Sequence, residues 1–350
     1  SPAPRNPPPL LHAPRARRVR ECPMNDRLDP KLALPDLAAI RAAHARIRPH
    51  VHRTPVFTCA AVDAEVGAKL WFKAESFQKI GAFKARGASN AVFSLSDDVA
   101  RRGVVTHSSG NHGAAIAYAA GRRGVPAWVV MPENAAKVKL ENVRRLGATI
   151  RFSAPDAASR AAVCAEVERE TGATLIHPFD NADVIAGQGT AALELLEDVP
   201  SLDVVIAPVG GGGLLSGTSI AAKGVRPGIR VFGAEPANAG DAAVAFRSGK
   251  VEPLPPGLAT IADGLRTPLA PRTLAAIRAN VDDVGTCSEE AIVRAMRMTF
   301  ERMKLVIEPS SAVPLACLLE RGLSAPGARI GVIVSGGNVD LDRLPWQREA

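Results

Sequence analysis

The chain has 350 residues, 47% hydrophobic and 22% charged, so it carries enough apolar side chain for two domains with cores of their own. Aromatic residues are only 4% with a single tyrosine, and the net charge is +8, half of it from five arginines against one glutamate in residues 1–23. That balance excludes a single-stranded nucleic-acid platform or a DNA-binding face and suits an anionic cofactor or substrate.

In chain order, residues 1–23 (SPAPRNPPPLLHAPRARRVRECP) hold seven prolines and no apolar h-region. They read as neither a secretory signal nor a helix-forming transit peptide, and are expected to be a disordered extension or an upstream start, with folded sequence from about Met24. The five cysteines, Cys22, Cys59, Cys164, Cys287 and Cys317, are widely spaced with no C-x-x-C pair. This is the usage of a reducing compartment, and nothing approaches the run of roughly 18 apolar residues that a membrane span needs. A cytoplasmic protein is expected.

From Pro35, PDLAAIRAAHARI predicts a helix with Asp36 near its start, Leu37, Ile40, His44 and Ile47 along one face, and Pro49 as its end. AKLWFKAE predicts a short strand, and KIGAFKARGASN a loop entering a helix. A regular alternation follows over 103–180: strands at GVVTHSS, PAWVVMP, ATIRFSA and ATLIHP, separated by helices. Short apolar strands spaced by helices predict a parallel sheet covered on both faces. A second series begins with the helix GTAALELLEDV and the strand and loop LDVVIAPVGGGGLLSG. The strand IRVFGAEP, helices over 288–303 and 310–321, and the strand RIGVIVSGG complete it.

The expected fold class is therefore α/β, with two open parallel-sheet domains and the active-site cleft between them. Residues 103–180 would form the small domain, and residues 24–102 with 181–350 the large, cofactor-binding one. The helix at Asp36 and the lysine helix are expected to pack on the second sheet. No repeat of solenoid length interrupts this organisation.

Ligands of open α/β sheets gather at the carboxyl ends of strands. Three loops lie at such ends: HSSGNHG (107–113), PVGGGGLLSG (208–217) and SGGN (335–338). Gly210 to Gly213 follow a strand and open a helix, which lets backbone N–H groups converge on an anion at the helix's positive end. Thr218 stands where a Walker A lysine belongs, and no G-x-G-x-x-G runs across 210–217. A phosphate without a nucleotide signature is the reading. SSGNHG reads equally as a second anion nest or as an ordinary N-capping loop. Lys84 alone reads as a solvated helix lysine. Beside a phosphate cradle it reads as a reactive amine able to form an imine and act as a base, with Gly87 one turn on allowing close backbone approach.

Jointly these segments resemble one family. GAFKARGASN is similar to the S-F-K-x-R-G-A segment around the Schiff-base lysine of the pyridoxal-phosphate-dependent serine/threonine dehydratases and serine racemases, of the tryptophan-synthase-β-like fold type. HSSGNHG, VIAGQGT (184–190), PVGGGGLLSG, GAEPANAGD (233–241), TIADGLRT (260–267), EPSSAVPLA (308–316) and VSGGNVDL (334–341) fall in that family's order. The resemblance covers residue 35 to the end. It implies that Lys84 binds pyridoxal 5′-phosphate covalently and removes the Cα proton, and that Asn111 meets the cofactor's ring oxygen. It places the backbone of Gly210, Gly211, Gly212, Gly213 and Leu214 at the phosphate and Ser335 at the pyridine nitrogen. A hydroxyl does not enforce ring protonation as a carboxylate would, so the cofactor becomes a weaker electron sink and elimination is favoured.

The resemblance further implies that Ser108, Ser109, Asn111 and His112 line the substrate carboxylate site. Ser109 is then either a carboxylate contact or the acid/base on the second cofactor face. Glu235, the carbonyl of Ala239 and Asp241 match a divalent-cation site, with oxygen ligands suited to Mg²⁺ or Ca²⁺. Arg160 lies where racemases carry an arginine near the substrate side chain, and reads either as a partner for a distal carboxylate or as a surface helix residue. Ala82 replaces the usual serine before the lysine. Phe179 resembles dehydratases, and Thr267 stands where racemases often carry serine.

The implied activity is dehydration of a β-hydroxy amino acid (L-threonine, L-serine or 3-hydroxyaspartate) to a 2-oxo acid and ammonia. Serine or aspartate racemisation by Lys84 and Ser109 is the alternative, and a non-catalytic amino-acid- or cofactor-binding protein the remote one. A homodimer with a small-molecule substrate, and with neither nucleic acid nor membrane as partner, completes the expectation.

Overall fold

The structure is a computed structural model describing residues 32–347, except 109, 136, 321, 322 and 324. Residues 1–23 and Ser109 thus lie outside the described residues. Chain contacts divide at Ala33, and all that follows concerns the compact unit from Leu34 onward.

The strands are β1 (Val56–Phe57), β2 (Lys69–Ala74), β3 (Val104–His107), β4 (Ala127–Pro132) and β5 (Thr149–Ser153), followed by β6 (Thr174–Leu175), β7 (Val204–Pro208), β8 (Arg230–Pro236), β9 (Asp283–Cys287) and β10 (Arg329–Val334). They form two sheets, ordered β1-β2-β10-β7-β8-β9 and β5-β4-β3-β6. Every pairing is parallel except β1 with β2, so the larger sheet has one antiparallel edge. Central β10 aligns Val332 with Phe72 on one side and Ile206 on the other. Strands buried on both faces read as continuous apolar runs, and VVIAP of β7 is buried throughout.

The first helices are α1 (Leu37–Ile47), α2 (Ala60–Val66), α3 (Lys84–Ser94), α4 (Asp97–Ala100), α5 (Asn111–Arg123), α6 (Lys137–Arg145) and α7 (Ala157–Thr171). After them come α8 (Ala182–Asp198), α9 (Gly213–Val225), α10 (Asp241–Ser248), α11 (Pro271–Asn280), α12 (Glu289–Met298) and α13 (Pro309–Leu319). Asp36 caps α1 by accepting the Ala39 N–H at 2.8 Å, and Ile40, Ala43 and Ile47 form its buried face. His44, expected on that face, is only half-buried because it reaches sideways to Glu194. β1, β9, α2, α4, α10 and α11 were not expected. Strand β9 reads DVGTC, whose Asp and Gly mask the strand pattern.

The lysine helix also departs from expectation. Ala88, Ala91 and Val92 of α3 join the core of the smaller sheet with Ala115, Ile116, Val129 and Met131, while its other face meets α8. A helix of small residues can be packed from two sides at once, and α3 lies between α5 and α8 for that reason.

Candidate active site

The three loops read as ligand-bearing leave the carboxyl ends of β3, β7 and β10, as parallel topology requires. The loop after β7 is packed closely by its neighbours, leaving no room for side chains. A Cβ on Gly210 would lie 2.9 Å from the Leu265 Cα, one on Gly211 2.4 Å from the Phe179 ring, and one on Gly213 3.0 Å from the Phe179 Cβ. Gly212 adopts φ +87°, a conformation that L side chains rarely take. These glycines therefore serve close approach and a left-handed turn. No side chain caps the first turn of α9, so its N–H groups remain free for an anion.

Lys84 opens α3. Its Nζ donates to the carbonyl of Pro178 at 2.9 Å, and the next residue, Phe179, is the one lying against Gly211 and Gly213. The amine and the glycine loop thus meet at the same two-residue segment. The lysine keeps some solvent access, yet its amine is desolvated. Burial lowers its pKa to about 8, and the negative field of Glu308 opposes the fall. Ser335 reaches the same place from β10: its carbonyl accepts the Phe83 N–H at 2.9 Å, and its Oγ shares a 2.9 Å hydrogen bond with Ser311 Oγ. The group at this position is a pair of buried hydroxyls and not a carboxylate.

Asn111 is the first residue of α5. Its Nδ2 donates to Glu308 at 3.2 and 3.1 Å, and its Oδ1 accepts from Asn338 Nδ2 at 2.8 Å. Glu308 opens the EPSSAVPLA segment, which by itself indicates no role for it. Burial pushes its carboxyl up to about 7, helped by Asp263 and opposed by Asn111, the Asn338 backbone and Lys139. The signal for it was local, an acid immediately before a proline at a helix start. Its partner lies 197 positions away and was not legible.

The remaining expected residues divide. Ser108 is half-buried, and its Oγ accepts the Gly110 N–H at 3.2 Å. The His112 ring is buried against the carbonyl of Ile176, 3.2 Å from Nε2. Burial and the charge of Lys84 hold it well below the usual histidine range. What His112 can offer an anion is its backbone N–H in the first turn of α5, with the ring turned away. His107 and His177 meet edge to face at 5.2 Å, and His177 meets Phe179 likewise at 4.6 Å. Arg160 Nη1 donates to Pro155 O at 3.2 Å in its own helix start, and its charge lowers the pKa of His107 after burial has done so. Arg160 therefore lies at the rim of the histidine pair.

Glu235, at the end of β8, is fully buried and accepts the N–H groups of Ala242 and Ala243 at 3.0 and 2.9 Å. Burial still pushes its carboxyl up to about 8. Neither buried oxygen of Asp241 has a hydrogen bond of good geometry, and burial raises its pKa to about 6, opposed by the nearby backbone N–H groups of Asp241 and Leu269. Ala239 is buried on the turn between them. Among the described residues no group of three or more His, Cys, Asp or Glu side chains is placed to hold a metal ion, so a cation here would add the Ala239 carbonyl and water to two carboxylates.

A desolvated amine, a glycine cradle that any Cβ would fill, and an uncapped helix start fit a phosphorylated cofactor that bonds covalently to a lysine. That is the class of enzyme the fold and the site define. The family model described as "Pyridoxal-phosphate dependent enzyme" matches residues 47–336, and the chain belongs to this family. It is 50% identical over 317 residues to a serine racemase of Oryza sativa subsp. indica, covering 89% of this chain and 93% of that one. It is 47% identical over 315 residues to the beta-hydroxyaspartate dehydratase of Paracoccus denitrificans, covering 89% and 99%. The solved structure of maize serine racemase superposes with a TM-score of 0.86 at 50% identity, covering 89% and 95% of the two chains. No helix among the described residues is long and apolar enough to cross a membrane.

Proposed function

We propose that this chain is a pyridoxal-phosphate-dependent dehydratase of β-hydroxy amino acids, releasing a 2-oxo acid and ammonia. When bound, the cofactor supplies a conjugated sink for the electron pair freed at Cα. The backbone of Gly210 to Leu214 would hold its phosphate, Asn111 its ring oxygen, Ser335 its pyridine nitrogen and Lys84 its carbonyl carbon. The observation that carries the reading is the Lys84 amine. With a pKa of about 8 it is partly unprotonated near neutrality, as a base for the Cα proton must be. The buried hydroxyl pair of Ser335 and Ser311 supports elimination, because no carboxylate at that position stabilises a long-lived carbanion. The substrate loses its Cα proton to Lys84 Nζ and its β-hydroxyl as water. The Cα=Cβ enamine that remains takes a proton at Cβ to become an imine, whose C=N bond then takes up water to give the oxo acid and ammonia.

Likeness to the Paracoccus dehydratase supports 3-hydroxyaspartate among L-threonine, L-serine and 3-hydroxyaspartate, with Arg160 as the partner of the distal carboxylate. Glu235, the Ala239 carbonyl and Asp241 would hold Mg²⁺ or Ca²⁺, supported by the buried oxygens of Asp241, which no hydrogen bond of good geometry satisfies. Likeness to the rice racemase supports a second reading, enantiomer exchange with Ser109 on the face opposite Lys84.

Product analysis over the three substrates, with and without Mg²⁺, separates the two. We expect equal yields of oxo acid and ammonia, fastest with 3-hydroxyaspartate, and a loss of roughly 10³-fold or more in Lys84→Ala. Enantiomer exchange outpacing oxo-acid release would favour the racemase. Cofactor uptake without turnover of any substrate would defeat both.

A further inference from the structure

We propose that Asn338 is a positioning residue that fixes which way round Asn111 presents its amide, so that an N–H and not the carbonyl is left for the cofactor's ring oxygen. The inference rests on the cofactor placement given above and adds a residue to it. An amide has two orientations of nearly equal shape, with donor and acceptor exchanged, and its neighbours decide between them. Asn111 has two such neighbours. Glu308 receives Nδ2 at 3.2 and 3.1 Å through both carboxylate oxygens, committing one N–H and leaving the other. Asn338 donates to Oδ1 at 2.8 Å.

Glu308 by itself does not settle the orientation. Its carboxyl, raised to about 7 chiefly by burial, is part protonated near neutrality, and a carboxylic acid can donate as well as accept. Protonated Glu308 could therefore hold a reversed Asn111 by donating to its Oδ1. The charged groups bearing on Glu308 are Asp263, which raises its pKa, Lys139, which lowers it, and Lys84 in the same field.

Asn338 carries no such ambiguity. Its Nδ2 also donates to the backbone carbonyl of Ile80 at 2.8 Å, and a carbonyl cannot donate in return. Reversing Asn338 would press its oxygen against two acceptors. The polarity of the chain, from Ile80 through Asn338 and Asn111 to Glu308, is thus set by the backbone at its first member. The turn bearing that carbonyl is shaped to receive Asn338. Ile80 and Gly81 both adopt left-handed φ, +58° and +71°, and a Cβ on Gly81 would lie 2.5 Å from Asn338 Oδ1. Because the same turn runs directly into Lys84, amine and amide share one support.

The test measures pyridoxal 5′-phosphate affinity and visible absorbance of the parent holoenzyme, Asn338→Ala and Asn338→Asp at pH 6 and pH 8.5. In Asn338→Ala, protonated Glu308 is free to reverse Asn111 at pH 6, whereas ionised Glu308 only accepts at pH 8.5 and restores it. We expect affinity about tenfold weaker than the parent at pH 6, as for a protein one-tenth competent, and within about twofold of it at pH 8.5. In Asn338→Asp the carboxylate demands an N–H from Asn111 at both values, so affinity falls at both. A purely structural contribution would weaken Asn338→Ala equally at the two pH values. That result, or parent affinity in both variants, overturns the proposal, and if one variant does not fold the other decides. A parent that takes up no pyridoxal phosphate brings down the cofactor placement and this proposal together. Normal uptake by the parent with unchanged variants brings down only the positioning.

Discussion

At the scale of single residues, burial decides the chemistry more than identity does. Glu235 and Asp241 are ordinary acids in an E-x₅-D spacing that more often means solvated surface. Here they are buried, with pKa values raised to about 8 and about 6. Between the unfolded carboxylate values near 4 and these raised ones, the folded state binds more protons than the unfolded state. Stability therefore falls as pH rises through that window. A divalent cation that binds the ionised pair must reverse the trend. In the presence of chelator, Tm should drop between pH 5 and pH 8. Mg²⁺ or Ca²⁺ should restore it at pH 8 and do little at pH 5, and Asp241→Asn should abolish the response. An equal response at both pH values, or one surviving in Asp241→Asn, would remove the cation from this site. The spacing was legible in the sequence, but the burial that gives it meaning was not.

At the scale of elements, α3 carries Lys84 and is located by a contact too close for side chains. The Gly87 N–H donates to Gln188 Oε1 at 3.1 Å, and a Cβ on Gly87 would lie 2.3 Å from Gln188 Nε2 and 2.7 Å from the Val184 carbonyl. On the facing helix, a Cβ on Gly187 would lie 2.6 Å from the Gly87 Cα. Alanine improves helix propensity by roughly 1 kcal/mol over glycine, yet overpacking a closed interface costs about 1–3 kcal/mol. Gly87→Ala should therefore lose stability in urea unfolding despite the better helix former, and should loosen the Lys84 contact with Pro178. A variant as stable as the parent or more so would mean that α3 and α8 have room to part. The close approach at Gly87 could be read from GAFKARGASN; its partner helix could not, because VIAGQGT follows almost 100 positions later.

At the scale of the whole molecule, four buried charges tie β2 to α3 and α8. Arg86, fully buried, donates to Glu75 at 2.7 and 2.9 Å and to Glu194 at 2.9 and 2.8 Å, while Lys73 Nζ donates to Glu194 at 2.7 Å. His44 of α1 reaches Glu194 at 3.3 Å from the rim. Two cations and two anions balance, and hydrogen bonds to these partners hold the Glu194 carboxyl far below the usual range against the pull of burial. Removing one partner strands the others in low dielectric, so Glu194→Ala should destabilise the protein by about 3–5 kcal/mol in denaturant titration. A loss under about 1 kcal/mol would mean that water enters to solvate Arg86 and Lys73. Glu194 is depressed in the folded state, so its contribution is present above the unfolded carboxylate pKa and is lost as acid protonates the folded group.

What the sequence determined by itself was local and periodic. Strand and helix alternate because apolar spacing changes over a few residues, and the glycine loop and Lys84 announce themselves through residue types that backbone sterics and amine chemistry constrain wherever they occur. Tertiary structure alone decided which distant residues share a low-dielectric space: Glu308 and Asn338 at Asn111, Phe179 on the glycine loop, Glu194 on Lys73 and Arg86. It also packed α3 against the smaller sheet's core on one face and α8 on the other, and set β1 antiparallel at the edge of the larger sheet. The physical reason is one of range. Propensity and hydrogen bonding act over a turn of chain, whereas desolvation, which shifts the protonation of these lysines and carboxylates, depends on everything the fold packs around them.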